Sequence, residues 1–394
     1  FFSIHFCFLI KLVIKMEQHY WVAWSQIKGV GPSRLKKIWH CFGSMERAWQ
    51  ASGQELGAVD GLGDKLIRLI LAGRSPLNPE RIYHEHLEKN PQFWTPADSE
   101  YPKLLLEIPS PPPLLYYQGQ VKLLENQGQI PAIAMVGTRH PSEHGKRWTA
   151  RISQALAQVG FSIVSGMAQG VDGVAHSACL KTGGRTIAVL GTGIDQIYPA
   201  SHRNLYNEIL AQGLILSEYP AGTRPDRSHF PARNRIIAGL TRATLVMEAP
   251  SRSGSLITAH YAMDFNREVY ALPNSPEQQA ATGCLDLIRR GAGMILGETQ
   301  LIEELGGLPQ LDAASPQLSL SFPEPAVEPT PQPSTDFRQI SPELLPLWQA
   351  IAPEPTAFDL IVVQSGMGAD QVSATLLQWE LEGFITQLPG MRYR

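Results

Sequence analysis

The hydrophobic pattern of the chain changes character twice. From Glu17 to about Gly73 apolar positions recur at helical spacing, broken by two glycine turns, Ile27-Lys-Gly-Val-Gly-Pro32 and Val59-Asp-Gly-Leu-Gly-Asp64. From Ile130 to about Gly307 short apolar runs take over, at Ile133–Val136, Phe161–Val164, Thr186–Leu190, Leu214–Leu216, Thr244–Met247 and Val269–Leu272, separated by helical segments. Runs that are apolar throughout suit buried parallel strands. Their alternation with helices predicts an α/β class, Rossmann-like, doubly wound parallel sheet with ligand loops at the carboxyl ends of its strands. Near the end, Thr356-Ala-Phe-Asp-Leu-Ile361 predicts a helix, Gly366-Met-Gly368 a turn, Ala369–Glu382 a second helix and Phe384–Arg394 a hairpin wing. That is a winged-helix outline.

The connecting stretches set the expected boundaries. Residues 16–90 read as a helical, helix-hairpin-helix-like (SAM-like) domain. Residues 91–307 read as the Rossmann-like domain, whose proline-rich lead-in to Gly119 wraps onto it. Residues 308–342, with FPEPAVEPTPQPST, read as a Pro-rich disordered linker, and 343–394 as the winged helix. Residues 1–15 are apolar but lack an initial Met, a basic start and a small-residue cleavage site, and are short for a membrane span. Met16 is therefore read as the start and 1–15 as an upstream leader. A cytoplasmic location with no membrane contact follows. The net charge of −3 puts any nucleic-acid surface in a local patch. Cys7, Cys41, Cys179 and Cys284 are scattered, with no CxxC, which argues for a reduced compartment and against a zinc or disulfide framework.

The chemistry concentrates in the loops after the apolar runs. Gly137-Thr138-Arg139 breaks the first run before a helical pattern from about Ser142, so free backbone N–H groups and a forked cation favour an anion there. Ser165-Gly166 follows the second run. Arg224, Arg227, Arg233 and Arg235 flank Phe230 before a helix, as a single strand needs: cations along the phosphates and a ring for a base. Equally, Phe230 fits a core position with the arginines paired to carboxylates. Ser253-Gly254-Ser255 gives a second glycine-and-hydroxyl turn into a helix.

Other chemistries fail on their own diagnostics. The first turn is not G-x-G-x-x-G and the second run lacks a terminal acid, against a nicotinamide enzyme. There is no P-loop, G-x-S-x-G or HExxH motif. His176, His202, His229 and His260 are isolated in sequence, and Asp172 and Asp195 follow glycine turns, where a carboxylate commonly caps. No catalytic set, metal site or cofactor is expected. The glycine turns of the helical region either bring backbone N–H groups to a DNA phosphate or simply close αα-hairpins. Lys36 and Lys37 favour DNA at the first, and Asp60 and Asp64 count against it at the second.

Taken together, Val136-Gly-Thr-Arg139, Ser165-Gly-Met-Ala-Gln-Gly-Val-Asp-Gly-Val-Ala-His176, Ala188-Val-Leu-Gly-Thr-Gly193, Tyr198-Pro199, Phe230-Pro-Ala-Arg-Asn-Arg-Ile-Ile-Ala-Gly-Leu240 and Ser253-Gly-Ser-Leu-Ile-Thr-Ala259 resemble the DNA-processing protein A (DprA, Smf) family over about Tyr101–Gly293. The resemblance implies a single-stranded DNA-binding protein, not an enzyme, that protects incoming DNA in natural transformation, loads RecA recombinase and forms a homodimer through the Rossmann-like domain. It carries phosphate contacts onto Gly137, Thr138 and Arg139, and a basic–aromatic pair onto Arg227 and Phe230, with Arg233, Asn234 and Arg235 matching the motif that follows. The expected DNA-contact set is completed by Ser165, Gly166, Ser253, Gly254 and Ser255. A rival from another class is a phosphoribohydrolase on a related fold. Against it, Ser253–His260 carries no carboxylate where such enzymes place a catalytic Glu. The second helix of the winged-helix outline has no Lys or Arg, so a protein contact is expected there rather than duplex reading.

Overall fold

The two glycine turns fold alike. In the computed structural model, which describes residues 17–306, 344–351, 356–381, 384–388 and 392–393, Gly29 and Gly61 both take φ of +83°, a conformation that glycine adopts without strain. Each turn leads into a helix, α1 (Pro32–Phe42) and α2 (Asp64–Arg74). The Lys37 ammonium bonds the Asp60 carboxylate at 2.6 Å, tying one turn to the other. The Lys36 ammonium donates to the carbonyls of Leu106 and Ile108 at 2.7 and 2.8 Å. Both lysines that favoured DNA at the first turn are thus engaged within the chain. The expected leader and linker lie outside the described residues.

Nine strands form one sheet: β1 (Phe93–Trp94), β2 (Leu115–Gly119), β3 (Ala132–Val136), β4 (Ser162–Ser165), β5 (Thr186–Leu190), β6 (Leu214–Ser217), β7 (Ala243–Val246), β8 (Glu268–Ala271) and β9 (Gly293–Met294). Their order is β1-β2-β6-β5-β4-β3-β7-β8-β9. Strands β3 to β9 run parallel to one another, each of the six apolar runs supplying one of β3 to β8. The proline-rich lead-in adds β1 and β2 as an antiparallel edge, β2 pairing with β6.

The sheet is covered on both faces by α3 (Glu143–Gln158), α4 (Val171–Lys181), α5 (Arg203–Gln212), α6 (His229–Gly239) and α7 (Ser255–Asp264). Strand β3 shows why its run is continuously apolar. Ile133 and Met135 enter one core with Ile152, Leu156 and Cys179, while Ala134 and Val136 enter another with Ile236, Ile237 and Ala259. A third core joins Trp21, Trp24, Leu35 and Ile70 of the helical region to Leu190, Tyr206 and Ile209. The chain runs from β3 outward through β4, β5 and β6, then crosses back to place β7 on the other side of β3. The crevice between the β3 and β7 loops is the switch point where α/β sheets bind ligands.

The chain divides into two compact units, one on either side of residue 318. The second contains α8 (Phe358–Ser365), α9 (Ala369–Leu381) and a sheet of β10 (Thr356–Ala357), β11 (Gln387–Leu388) and β12 (Arg392–Tyr393) in the order β10-β12-β11. Leu347, Ile361, Val372, Leu376 and Trp379 form its core, matching the winged-helix outline. Among the described residues, no helix is long and apolar enough to cross a membrane.

Candidate nucleic-acid interface

The Gly137-Thr138-Arg139 turn leaves β3 under tight constraint. A Cβ on Gly137 would lie 2.5 Å from Val171 and 2.9 Å from the Glu248 carbonyl, so only glycine fits. Thr138 donates its N–H to the Glu248 carbonyl at 2.7 Å, and its own carbonyl accepts from Val171 N–H at 3.2 Å. Gly170, at φ +84°, presses so closely that a Cβ would stand 2.4 Å from the Thr138 carbonyl oxygen. The turn is therefore clamped between the end of β7 and the start of α4. Arg139 projects from it, exposed.

The anion expected at the start of α3 is already supplied by the chain. Ser142 caps the helix, its Oγ accepting from Gly145 N–H at 3.1 Å. Glu248, only 2% exposed, accepts from Ser142 N–H at 2.9 Å and from the Ser142 hydroxyl. Its carboxylate lies so close that a Cβ on Gly145 would stand 2.4 Å from Oε2. This corrects the sequence expectation. The helix dipole is answered by an internal carboxylate, so the α3 N-terminus is already occupied.

A cleft of about 630 Å³ opens at the switch point. Its lining unites Gly137, Thr138, Arg139, Arg227, Phe230, Arg233, Asn234, Ser253, Gly254 and Ser255 of the expected set, together with Tyr198. Phe230 is half-buried. Its ring packs on Gly191, where a Cβ would approach to 2.8 Å. The Arg139 guanidinium stands 5.8 Å from its centroid and the Tyr198 ring 5.4 Å away. Asn234 donates to the Gly254 carbonyl at 3.3 Å, and the Ser253 and Ser255 hydroxyls bond each other at 2.7 Å. Arg227 is exposed at the rim.

Three expected contacts are placed differently. Ser165 is buried, its hydroxyl donating to the Met135 carbonyl at 2.6 Å. Gly166 lies in an adjoining hollow with Arg139, Tyr198, Phe230 and Arg233. Its N–H bonds the Asp172 carboxylate at 3.1 Å and its carbonyl accepts from Arg233 at 2.9 Å. Arg235 turns away, 7% exposed and ion-paired with Glu218, and lines a separate cleft beside Arg34 and Lys37. Residues two apart on a helix point about 200° apart, so Arg233 and Arg235 cannot share one cleft. Arg233 itself is 4% exposed and also bonds the Val189 carbonyl. Burial brings its pKa down to about 10, with Asp172 opposing the shift, so it stays charged at neutral pH beneath the cleft floor.

Asp172, Asp195 and His176 have structural partners. Asp172 accepts from the N–H groups of Gly166 and Ala168 at 3.1 and 3.3 Å, and Asp195 from Gly222 N–H at 2.8 Å, the capping roles their positions suggest. His176 is fully buried against Thr186 at 2.6 Å. Among the described residues no cluster of His, Cys, Asp or Glu could hold a metal. Tyr198, 40% exposed beside Phe230, was visible in the sequence only as part of Tyr198-Pro199, with nothing local to assign it a role.

The chain is similar to known proteins over nearly its whole length. A profile of the family described as DNA recombination-mediator protein A matches residues 92–306, and one for the DprA winged helix domain matches residues 324–391. Protein Smf of Synechocystis sp. is 53% identical over 392 residues, covering 96% of this chain and 98% of that protein. Protein Smf of Escherichia coli is 38% identical over 307 residues, covering 77% and 78%. The X-ray structure of DNA processing protein A from Streptococcus pneumoniae superimposes with a TM-score of 0.64 at 33% identity, covering 73% of this chain and 97% of that one.

Proposed function

The chain belongs to the DNA recombination-mediator protein A family, and from that premise we propose that it binds single-stranded DNA in the switch-point cleft and delivers RecA recombinase onto the strand. One observation carries the reading: a phosphate-suited turn, exposed cations and a pair of accessible rings converge in one open cleft. Arg139 and Arg227 track the backbone while Phe230 and Tyr198 receive a base. A base locked in a duplex stack cannot lie against Phe230, which favours a single strand. Role and setting follow the family: protection of DNA taken up in transformation, in the cytoplasm, by a homodimer built on the Rossmann-like domain. Met294 and Leu296, 41% and 68% exposed near the β9 edge, are apolar surface suited to such a contact.

The reading assigns no catalysis. Among the described residues lining the cleft, Asp172 alone carries a carboxylate, and backbone N–H groups already hold it. A sugar-transfer hydrolase would need a free one. The experiment is RecA loading onto a strand pre-coated with single-strand-binding protein, read as RecA ATP hydrolysis. The wild type is expected to shorten the lag and Arg139→Ala to leave it unchanged. A wild type that binds DNA yet leaves the lag untouched would contradict the mediator role.

A further inference from the structure

Arg139 stands where cavities meet. Besides the switch-point cleft, it borders a groove of about 800 Å³ that runs between α3, α4 and α5. Lys146 and Lys181 line this groove with His140 and His202, and Glu208 is the one acid among its described lining residues. Lys181 is exposed in the last turn of α4. Lys146 pairs with Glu143 at 2.7 Å, the two side chains 47% and 82% exposed. Such exposed pairs are weak, so a phosphate can replace the carboxylate. The floor is made by small residues where α3 and α4 meet, Ala150, Gly170, Gly173 and Ala178, and none of its described lining residues is Phe, Tyr or Trp. The His202 ring lies over Gly173, where a Cβ would stand 2.8 Å from Cε1, and its Nδ1–H donates to the Met167 carbonyl at 3.0 Å.

We propose that this groove is a second, backbone-only segment of the single-strand track. The strand leaves the ring-lined cleft over Arg139 and lays its phosphates along Lys146 and Lys181 with its bases turned to solvent. The inference rests on the proposed single-strand binding at the cleft and extends it to a surface with different chemistry. Cations without rings give attraction that depends on salt and not on base identity. The cleft therefore grips a short strand, and the groove adds affinity only once the strand is long enough to cross Arg139.

The test uses the full chain and labelled oligothymidylates of about five and about sixteen nucleotides, the span over which single-strand modules differ in site size. The double variant Lys146→Glu/Lys181→Glu is expected to bind the short strand as the wild type does and the long one about tenfold more weakly. Its log–log salt slope on the long strand should fall by about 1.4, from two lost phosphate contacts. Glu208→Lys, which removes the groove's acid, should strengthen binding of the long strand alone. The short strand also reports general charge effects, which would move both lengths together. Equal weakening at both lengths, or no change at either, overturns the groove. A wild type that binds neither strand overturns the cleft reading itself, and the groove with it.

Discussion

Arg139 and Arg233 both line the cleft but differ in what holds them. Arg139 is exposed, whereas Arg233 holds the Gly166 and Val189 carbonyls from a buried position beneath. Arg139→Ala should leave stability within about 0.5 kcal/mol while weakening DNA binding. Arg233→Ala strands two buried carbonyls and removes the charge facing Asp172, and should cost about 3 kcal/mol or more in urea unfolding. The sequence showed a row of arginines. It could not show which was buried, because that depends on the ends of β4 and β5. His176 makes a second case. The Thr186 hydroxyl donates to the Ile163 carbonyl at 2.8 Å, so it accepts from His176 Nδ1–H, leaving buried Nε2 without a partner. Burial drives this pKa down to about 3 from 6.5. Between those values the unfolded chain binds the extra proton, so stability falls as pH falls, by about 1.4 kcal/mol per unit. His176→Leu should flatten the loss between pH 6 and about pH 4 by that amount per unit, measured by denaturant unfolding at each pH.

At the scale of elements, α3 shows how a correct local pattern can lead to the wrong ligand. The glycine turn and the helix start were legible; the carboxylate filling that start was not, because Glu248 follows the neighbouring strand β7, far along the chain from Ser142. Glu248→Ala should destabilise the protein by about 1–3 kcal/mol, through the lost cap and the orphaned Ser142 donors. A stability equal to wild type would show that the carboxylate does not hold the helix. Strands β3 to β8 were readable because burial on both faces writes an unbroken apolar run. Strands β1 and β9 have two residues each, too few to carry a period. The glycine hairpins were readable as paired turns, but Lys36 and Lys37 have partners in the lead-in and in the neighbouring turn that no local pattern reveals.

At the scale of the molecule, every residue of the proposed track lies in the first unit. A chain ending at residue 306 should bind a single strand within about twofold of the full chain. The measurement is the same titration on both proteins. The winged-helix unit carries a different surface: Leu360, Val363, Leu377 and Phe384 are 49%, 77%, 60% and 52% exposed, and α9 has no Lys or Arg. That suits a protein contact better than a phosphate backbone. The α/β class and the ligand loops at the carboxyl ends of the strands could be reasoned from sequence because alternating runs and helices imply a parallel sheet; the strand order, and with it the switch point between β3 and β7, could not. Nor could the convergence of Tyr198 on Phe230, since it joins the loop after β5 to the first turn of α6. The central claim, that the cleft grips a single strand through Arg139, is tested most directly by fluorescence anisotropy of a labelled oligonucleotide, single-stranded and duplex, across a salt series with wild type and Arg139→Ala. The account predicts preference for the single strand, weaker binding by Arg139→Ala and a log–log salt slope smaller by about 0.7. Equal affinity for the duplex, or binding that ignores Arg139→Ala, would contradict it.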